Sequence, residues 1–461
     1  MKNSNSKIKF KILFLLILGV FISTSGFSCK LFPKTAVPQT LTKTTELSYW
    51  GVWDEPSFVQ PLINDFQALH PNVKIKYSRF RFSEYKQKLL EAWAADRGPD
   101  IYSIPASWLK EYQNFITPQP AEIKLAFEQI TKTLGKEEKT TVVKSVPIFK
   151  TTDIKNKFVD QVASDVIINN KIYGLPYSLD SLALFYNRDL LDKAGIATPP
   201  VTWDDVASAA SKISKIDLNN NPVEAGISLG TAENINNAGD ILSLLMLQSG
   251  ATMTDKNGQV VFDKSLADDK NYFPGLAALS FYTDFADPLK QVYSWNDKQP
   301  NSLDAFISGK LGMTLGYSYQ LREAKGRGPK LNIGVTGAPQ IKNSANDINY
   351  TNYWVETVSH KAKNSEIAWG FLNFAASENE VVKYLKVAKK PAALRSLISA
   401  QIQDPAISVF ASQTLTAQNW YQGRDQLKME NAFKDLIKNF PKAPNQLKLL
   451  QSTVDKINQT L

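Results

Sequence analysis

The first third of the chain alternates between strand and helix patterns, and this alternation constrains the fold more than any other feature. Residues 47–53 predict a strand that runs into a loop, and residues 73–77 and 100–104 predict two more strands. Between them, residues 56–69 and 83–93 place apolar side chains at helical spacing. Strands separated by helices in this order predict an α/β fold with a mainly parallel sheet covered by helices.

The rest of the chain continues the mixture of helices and strands. Thr202 and Asp205 stand at the spacing of a capping box, which predicts the start of a helix. An apolar run over residues 238–248 predicts another helix. Residues 117–165 are rich in Lys and Thr, and we expect an extended surface insertion there, with a helix at residues 121–134.

The N-terminus has the pattern of an export signal. Residues 1–11 are polar and basic, residues 12–22 are apolar without interruption, and small and polar residues lead to Cys29. The apolar run is shorter than the roughly 20 residues of a membrane-spanning helix. The segment resembles a bacterial lipoprotein signal, although Phe27 departs from the usual pattern. Lipidation of Cys29, an uncleaved signal anchor and anchor-free secretion are the alternatives, and each places the globular part outside the cytoplasmic membrane.

The composition argues against several classes of protein. The chain of 461 residues has one cysteine, which excludes an internal disulfide. Its two histidines, His70 and His360, are far apart in sequence, so we expect no zinc site and no other metal. The net charge of +9 includes no dense basic run, which argues against nucleic acid as a partner. No phosphate-binding loop or hydrolase motif is present, so we expect no cofactor and no enzymatic activity.

Nine segments, in this order along the chain, resemble extracellular solute-binding protein family 1, the maltose- and multiple-sugar-binding group of ABC importers. They are residues 49–56 (YWGVWDEP), 66–75 (FQALHPNVKI), 98–101 (GPDI), 173–177 (YGLPY), 184–191 (LFYNRDLL), 199–205 (PPVTWDD), 306–313 (FISGKLGM), 337–339 (GAP) and 368–374 (AWGFLNF). No single segment is specific, but nine in order over about 330 residues are a strong combined signal. The resemblance is weak across residues 117–165 and loose after about residue 400.

The resemblance implies a type II periplasmic-binding-protein-like α/β fold, with two lobes, a hinge and a cleft between the lobes. The chain would cross between lobes near Leu179, Gly337 and Glu380. The expected parts are a signal segment at 1–29, a flexible tether at 30–46, a first lobe at 45–179 and 338–380, and a second lobe at 180–337 and 381–461.

The resemblance also implies a function. The protein would bind a sugar or oligosaccharide in the cleft and deliver it by hinge closure to the permease subunits of an ABC importer. It would act as a monomer, tethered to the outer face of the cytoplasmic membrane. The alternatives are a binding protein for a different solute, a surface sensor or adhesion protein on the same fold, and a cell-wall enzyme.

The chemistry of a sugar indicates which residues would bind it. Aromatic rings cover the apolar CH face of a sugar, and carboxylate, amide or guanidinium groups bind its hydroxyls. Ligands of open α/β sheets bind at loops beyond the carboxyl ends of strands. A helix cap is the alternative role for Asp54, and a cap at the entry to a strand is the alternative for Asp100. The candidate ligand-binding residues are Trp50, Trp53, Asp54, Glu55, Asp100, Tyr177, Asp180, Asn237, Asp240, Trp295, Tyr317, Tyr353, Trp354 and Arg395.

Overall fold

A computed structural model describes residues 43–133 and 136–461. The predicted signal segment, Cys29 and most of the predicted tether lie outside the described residues. The strands are β1 (Thr45–Gly51), β2 (Val73–Arg79), β3 (Ile101–Pro105), β4 (Lys124–Thr133), β5 (Lys136–Ser145), β6 (Ile167–Ile168), β7 (Lys171–Ile172), β8 (Asp180–Ser181), β9 (Ala183–Asn187), β10 (Lys215–Ile216), β11 (Pro222–Ile227), β12 (Leu311–Gly316), β13 (Ile333–Gly337), β14 (Asn349–Asn352), β15 (Trp354–Val358) and β16 (Ala417–Gln418).

The α-helices lie between these strands and after them. They are α1 (Pro56–Leu69), α2 (Phe82–Ala94), α3 (Thr151–Lys157), α4 (Asp160–Val166), α5 (Arg188–Lys193), α6 (Trp203–Ile213), α7 (Ala238–Gln248), α8 (Pro274–Asp284), α9 (Ser302–Ile307), α10 (Ser318–Arg327), α11 (Ser365–Ala375), α12 (Glu378–Ala388), α13 (Arg395–Ile402), α14 (Ser408–Gln413), α15 (Gln426–Asn439) and α16 (Gln446–Asn458). Within the described ranges, no helix is both long enough and apolar enough to cross a bilayer.

The predicted alternation of strands and helices forms the first sheet, whose strand order is β15-β3-β1-β2. Strand β1 pairs in parallel with β2 and β3, and β15 pairs antiparallel with β3. The connecting helix α1 begins at Pro56, a residue suited to a first helical turn, and buries Val59, Leu62, Ile63 and Phe66. The predicted strand-helix-strand-helix-strand unit is therefore confirmed.

The second sheet has the order β10-β11-β12-β9-β13, and only the β11–β12 pair is parallel. The predicted capping box starts helix α6: the Asp205 amide donates to the Thr202 hydroxyl, and the Asp205 carboxylate accepts from the Thr202 amide at 3.1 Å. Helix α7 spans the predicted residues 238–248. Both predicted helices are confirmed.

Two separate hydrophobic cores divide the described chain. The first contains residues from 47–179 and 353–398 together with Ala417, and the second contains the other buried apolar residues of 182–350 and 407–457. The predicted division differs in two stretches: residues 338–350 pack with the second core, and residues 381–398 pack with the first. The reason for the second difference is helix α12, which buries Val381, Tyr384, Leu385 and Ala388 against the first core beside α1.

A small three-stranded sheet joins the two cores. Strand β14 pairs antiparallel with β8 and parallel with β16. Strands β8 and β14 occupy two of the places where the chain passes between the cores, near residues 180 and 351, and the third passage lies between residues 398 and 407. Strand β16 follows that third passage and contributes Ala417, which packs with the first core. The predicted crossing near Leu179 lies next to β8, whereas those predicted near Gly337 and Glu380 occur later in the chain.

The predicted helix at residues 121–134 is wrong. Strands β4 and β5 form a long antiparallel hairpin there, in which Lys124 pairs with Ser145. Leu125 and Ala126 at its base are buried, and the Ala126 carbonyl contacts the Nδ1 atom of His70 at 2.9 Å. The buried apolar residues of β4 therefore anchor the base of the hairpin to the first lobe. The apolar spacing within residues 121–134 was read as that of a helix, but these residues form a strand.

Candidate ligand-binding site

Five aromatic side chains from the two lobes meet beside the small sheet, and we call them the cross-lobe cluster. Its members are Trp53, Phe82 and Trp354 of the first lobe, and Tyr317 and Tyr319 of the second. Trp53 follows the carboxyl end of β1, and Tyr317 directly follows the carboxyl end of β12. The strand-end rule thus selected one ring of the cluster from each lobe, and their contact with a ligand stays a prediction.

The cluster is built around the indole of Trp53. Its ring stacks on Tyr319, with centroids 5.2 Å apart and planes 23° apart, and on Phe82 at 5.7 Å and 28°. Trp354 meets it edge to face at 6.3 Å and 89°. Tyr317 continues the row by stacking on Tyr319 at 6.1 Å and 11°. The arrangement offers flat apolar faces on both sides of the interface between the lobes.

An ion pair lies next to Trp53 on the first lobe. The Asp54 carboxylate accepts from Lys390 Nζ at 2.5 Å and from the Tyr384 hydroxyl at 2.9 Å. Both charged side chains are largely buried. The N-cap of α1 is Glu55, not Asp54, so the helix-cap alternative for Asp54 is wrong. Neutralised and held by two donors, Asp54 is a rigid polar group at the edge of the cluster.

The second lobe supplies a buried carboxylate beside Tyr317. The Tyr317 hydroxyl donates to Asp240 Oδ2 at 2.7 Å. Burial raises the pKa of Asp240 to about 6, and nearby Glu430 adds to that rise. Asn237 Nδ2 donates to Gln320 Oε1 at 2.8 Å, and the same oxygen accepts from the Tyr317 amide. The sequence-predicted residues Asn237, Asp240 and Tyr317 are therefore brought together.

Asp180 connects the small sheet to helix α10. Its carboxylate accepts from the Ser318 hydroxyl at 2.6 Å and from the Ser318 amide at the first turn of that helix. Burial raises the pKa of Asp180. Predicted Tyr177 is also buried nearby and packs edge to face on Tyr384, with centroids 5.5 Å apart. Both residues lie at the crossing, but their visible role is to hold elements together.

Trp50 and Glu55 lie at the edge of the site. Trp50 is half-buried and packs on Phe80, with ring centroids 4.4 Å apart. Glu55 is exposed and forms an ion pair with Arg79 at the end of β2. Neither side chain is part of the cross-lobe cluster.

Trp295 and Asp100 depart from their predicted roles. Trp295 is fully buried in the second core, where its Nε1 donates to Asn234 Oδ1 at 3.1 Å, so its polar neighbours in sequence were misleading. Asp100 accepts from the amide and hydroxyl of Ser48, both at 2.9 Å. It stands before β3, at the amino end of that strand, which supports the alternative of a cap at a strand entry.

Tyr353 and Arg395 also point elsewhere. The buried hydroxyl of Tyr353 donates to Asp165 at 2.7 Å, because successive residues of an extended strand point to opposite faces and Trp354 takes the face of the cluster. Arg395 Nε donates to the Phe158 carbonyl at 2.7 Å, and its guanidinium pairs with Asp160. The structure gives both residues contacts within the first lobe.

Sequence reasoning missed Phe82, Tyr319, Tyr384 and Lys390. Tyr319 stands two residues after predicted Tyr317, in the first turn of α10, so a wider selection of the residues that follow β12 would have included it. Tyr384 and Lys390 were missed because residues 381–398 had been assigned to the second lobe, away from Asp54. Phe82 begins helix α2 and carries no signal of its own in the sequence.

A cavity of about 360 Å³ lies at a different place. Its lining includes Gln161 and Ser164 of the first lobe, Met253 of the second, and Asn419 and Gln422 beyond β16. None of its lining residues belongs to the cross-lobe cluster. Across the described part of the chain, no three His, Cys, Asp or Glu side chains group in a way that could hold a metal ion.

The chain is similar to known proteins in sequence and in fold. A family model described as bacterial extracellular solute-binding protein matches residues 51–381. The chain is 23% identical over 336 residues to a putative binding protein of Brucella abortus, covering 69% of this chain and 68% of that protein. It is 22% identical over 408 residues to the galactooligosaccharide-binding protein of Bacillus subtilis, covering 86% and 82%.

The fold is similar to that of the cyclic α-maltosyl-1,6-maltose binding protein from Arthrobacter globiformis. The TM-score is 0.69 at 18% identity, over 90% of this chain and 98% of that one. The match confirms the fold class expected from the sequence, a two-lobed type II α/β fold.

Proposed function

Since the chain belongs to the bacterial extracellular solute-binding protein family, we propose that it is the receptor of an ABC importer and binds a sugar or oligosaccharide between its lobes. The cross-lobe cluster carries this proposal. Stacked faces of Trp53 and Tyr319, one from each lobe, suit the apolar face of a pyranose. The relatives named above as oligosaccharide-binding proteins support the same ligand class.

The polar groups around the cluster would bind the hydroxyls of the sugar. Asp54 and Lys390 stand on the first lobe, and Asp240 stands on the second. Hydrogen bonds within the protein already fix each of these side chains, so binding a sugar hydroxyl costs little additional side-chain entropy. We propose that these three residues bind the hydroxyls of the sugar and that the rings of Trp53 and Trp354 contact its apolar face.

The delivery mechanism we propose is hinge closure. The three strands β8, β14 and β16 are the only strands of the described chain that lie between the two cores, which makes them the natural axis for a lobe movement. The proposed first lobe is 45–179 with 353–398, and the proposed second lobe is 182–350 with 407–461. A sugar that contacts both lobes would stabilise the closed form that the permease recognises.

The family is extracellular, and the finer location is part of the proposal. We propose that Cys29 is lipidated and that the following residues tether a monomeric receptor to the outer face of the membrane. Its partners would be the permease subunits. Incorporation of a labelled fatty acid that persists in a Cys29→Ser variant would contradict this attachment.

Binding is tested by calorimetric titration of the exported chain with a panel of neutral mono- and oligosaccharides. Trp53→Ala should weaken the tightest sugar at least about tenfold, because a central stacked aromatic residue commonly contributes more than about 1.4 kcal/mol to an interface. Tyr272→Ala, at an exposed aromatic residue outside the cluster, is the matched control and should leave the affinity unchanged. Equal affinity of the wild type and Trp53→Ala for the sugar would rule out the cross-lobe cluster as the binding site.

The same titration separates a receptor from an enzyme. A receptor returns the sugar unaltered, so chromatography of the mixture should recover the oligosaccharide at its original length. Release of shorter fragments would instead support a hydrolase.

A further inference from the structure

Arg322 joins the two lobes at a place next to the candidate sugar site. It lies in α10 of the second lobe, and both of its described partners belong to the first lobe. Its guanidinium stands 5.6 Å from the centre of the Phe58 ring in α1. Its Nη1 atom donates to the carbonyl of Ala388, the last residue of α12, at 3.1 Å. One side chain thus connects α10 to two helices of the other lobe.

The end of α12 explains why a guanidinium binds there. The last carbonyls of an α-helix have no N–H partner within the helix, and the helix dipole makes this end negative. Lys389 caps α12 in the left-handed conformation, with a φ of 50°, and donates its N–H to the Leu385 carbonyl. That bond leaves the Ala388 carbonyl for another donor, and Arg322 of the other lobe supplies a charged one.

The partners of Arg322 lie close in sequence to residues proposed to bind the sugar. Phe58 follows Asp54 by four residues, and Ala388 precedes Lys390 by two. Among the described contacts, Arg322 touches neither the Asp54–Lys390 ion pair nor a ring of the cross-lobe cluster. A movement that takes the lobes apart must break the contacts of Arg322 with Phe58 and Ala388, because they join different lobes.

We propose that Arg322 is a latch that holds the lobes together over a bound sugar, a positioning residue that stabilises the closed form without touching the ligand. The inference rests on the proposed function and adds to it a residue outside the site on which sugar affinity depends. The hydrogen bond and the cation–π contact require the lobes to be together, so their free energy stabilises the closed form and slows the release of the sugar.

Removing the latch should weaken sugar binding. Arg322→Ala should lower the affinity for the tightest sugar about threefold to tenfold, the range expected for the loss of a surface cation–π contact and a hydrogen bond. Most of the change should appear as faster dissociation, because mutations at one interface act mainly on the dissociation rate. Lys325→Ala removes an exposed positive charge from the same helix and is the matched control, which should leave the affinity unchanged.

A double-mutant cycle distinguishes a latch from a direct contact with the sugar. Phe58→Leu removes the ring beside the guanidinium and should itself weaken binding about twofold to fivefold. In the Arg322→Ala background, Phe58→Leu should have no further effect, because its partner is already gone. Calorimetric titration measures the four affinities, and thermal melting confirms that each variant is folded. Additive losses, or an Arg322→Ala variant that binds as tightly as the wild type, would overturn the latch.

The proposed function can fail separately from the latch. If the wild type binds no sugar at all, it is the proposed function that fails, and small-angle X-ray scattering of the sugar-free chain then tests the latch. Arg322→Ala should increase the radius of gyration relative to the wild type and Lys325→Ala, because its lobes separate more often. Equal radii for the three proteins would overturn the latch in that case.

Discussion

At the scale of single residues, carboxylates with different environments stand close to the cluster. Asp54 is held by the Lys390 ammonium and the Tyr384 hydroxyl, whereas Asp240 is buried and bonded to a phenol. A charged partner compensates the first for its loss of water, and a neutral donor compensates the second only in part. Burial raises the pKa of Asp240 to about 6, and the hydrogen bond from the Tyr317 hydroxyl opposes that rise.

Glu356 is a buried carboxylate whose protonation should affect the stability of the fold. It lies in β15, accepts from the Ser103 hydroxyl at 2.5 Å, and is 4% exposed. Burial raises its pKa from the ordinary 4.5 to about 7. Because the folded chain favours the neutral form, the stability that Glu356 contributes is fully present below pH 4.5 and is lost as the pH rises through about 7.

Replacing Glu356 by Gln should remove this pH dependence. Between pH 4.5 and 7, the free energy of unfolding of the wild type should fall by about 3 kcal/mol more than that of Glu356→Gln, at about 1.4 kcal/mol for each unit of pKa difference. Urea denaturation at several pH values measures it. Glu366→Gln at an exposed position is the control and should follow the wild type. Parallel curves for wild type and Glu356→Gln would contradict the account of this burial.

At the scale of secondary-structure elements, local patterns predicted the helices and strands well where a cap or period was present. Pro56 placed the start of α1, and the capping box placed the start of α6. The β4–β5 hairpin was missed because its stability comes from pairing between strands and from burial of Leu125 and Ala126 against distant elements. Such contacts are not contained in a window of neighbouring residues.

The capping box of α6 gives the element-scale prediction. Thr202→Ala removes the hydroxyl that accepts from the Asp205 amide, and it should lower the free energy of unfolding by about 1 kcal/mol. Thr198→Ala, in the exposed loop just before, serves as the matched control. Chemical denaturation compares the two. A Thr202→Ala variant as stable as the control would mean that the Asp205 side chain alone caps this helix.

At the scale of the whole molecule, the site depends on which segments share a core. The strand-end rule located Trp53 and Tyr317 from sequence, because each follows a strand whose direction was predictable. Tyr384 and Lys390 were not located, since the sequence does not mark where the chain last returns to the first lobe. That return is decided by the packing of α12 beside α1, about 300 residues apart along the chain.

The wrong assignment of Trp295 has a related cause. Its neighbours Ser294 and Asn296 are polar, which suggested an exposed ring, but the Ser294 hydroxyl donates to the Ile227 carbonyl inside the second core. Polar residues can be buried when they have hydrogen-bond partners inside the protein, so polar neighbours in sequence do not indicate that an indole is exposed. The burial of a loop residue is a property of the folded lobe and not of the sequence around it.

The proposed function requires that one sugar is held between the lobes at the cross-lobe cluster. A crystal structure of the exported chain grown with the tightest sugar from the titration tests it most directly. We predict a pyranose against Trp53 between the lobes, with hydroxyls near Asp54, Lys390 or Asp240. A sugar bound elsewhere, with Trp53 and Tyr319 still stacked on each other, would contradict it.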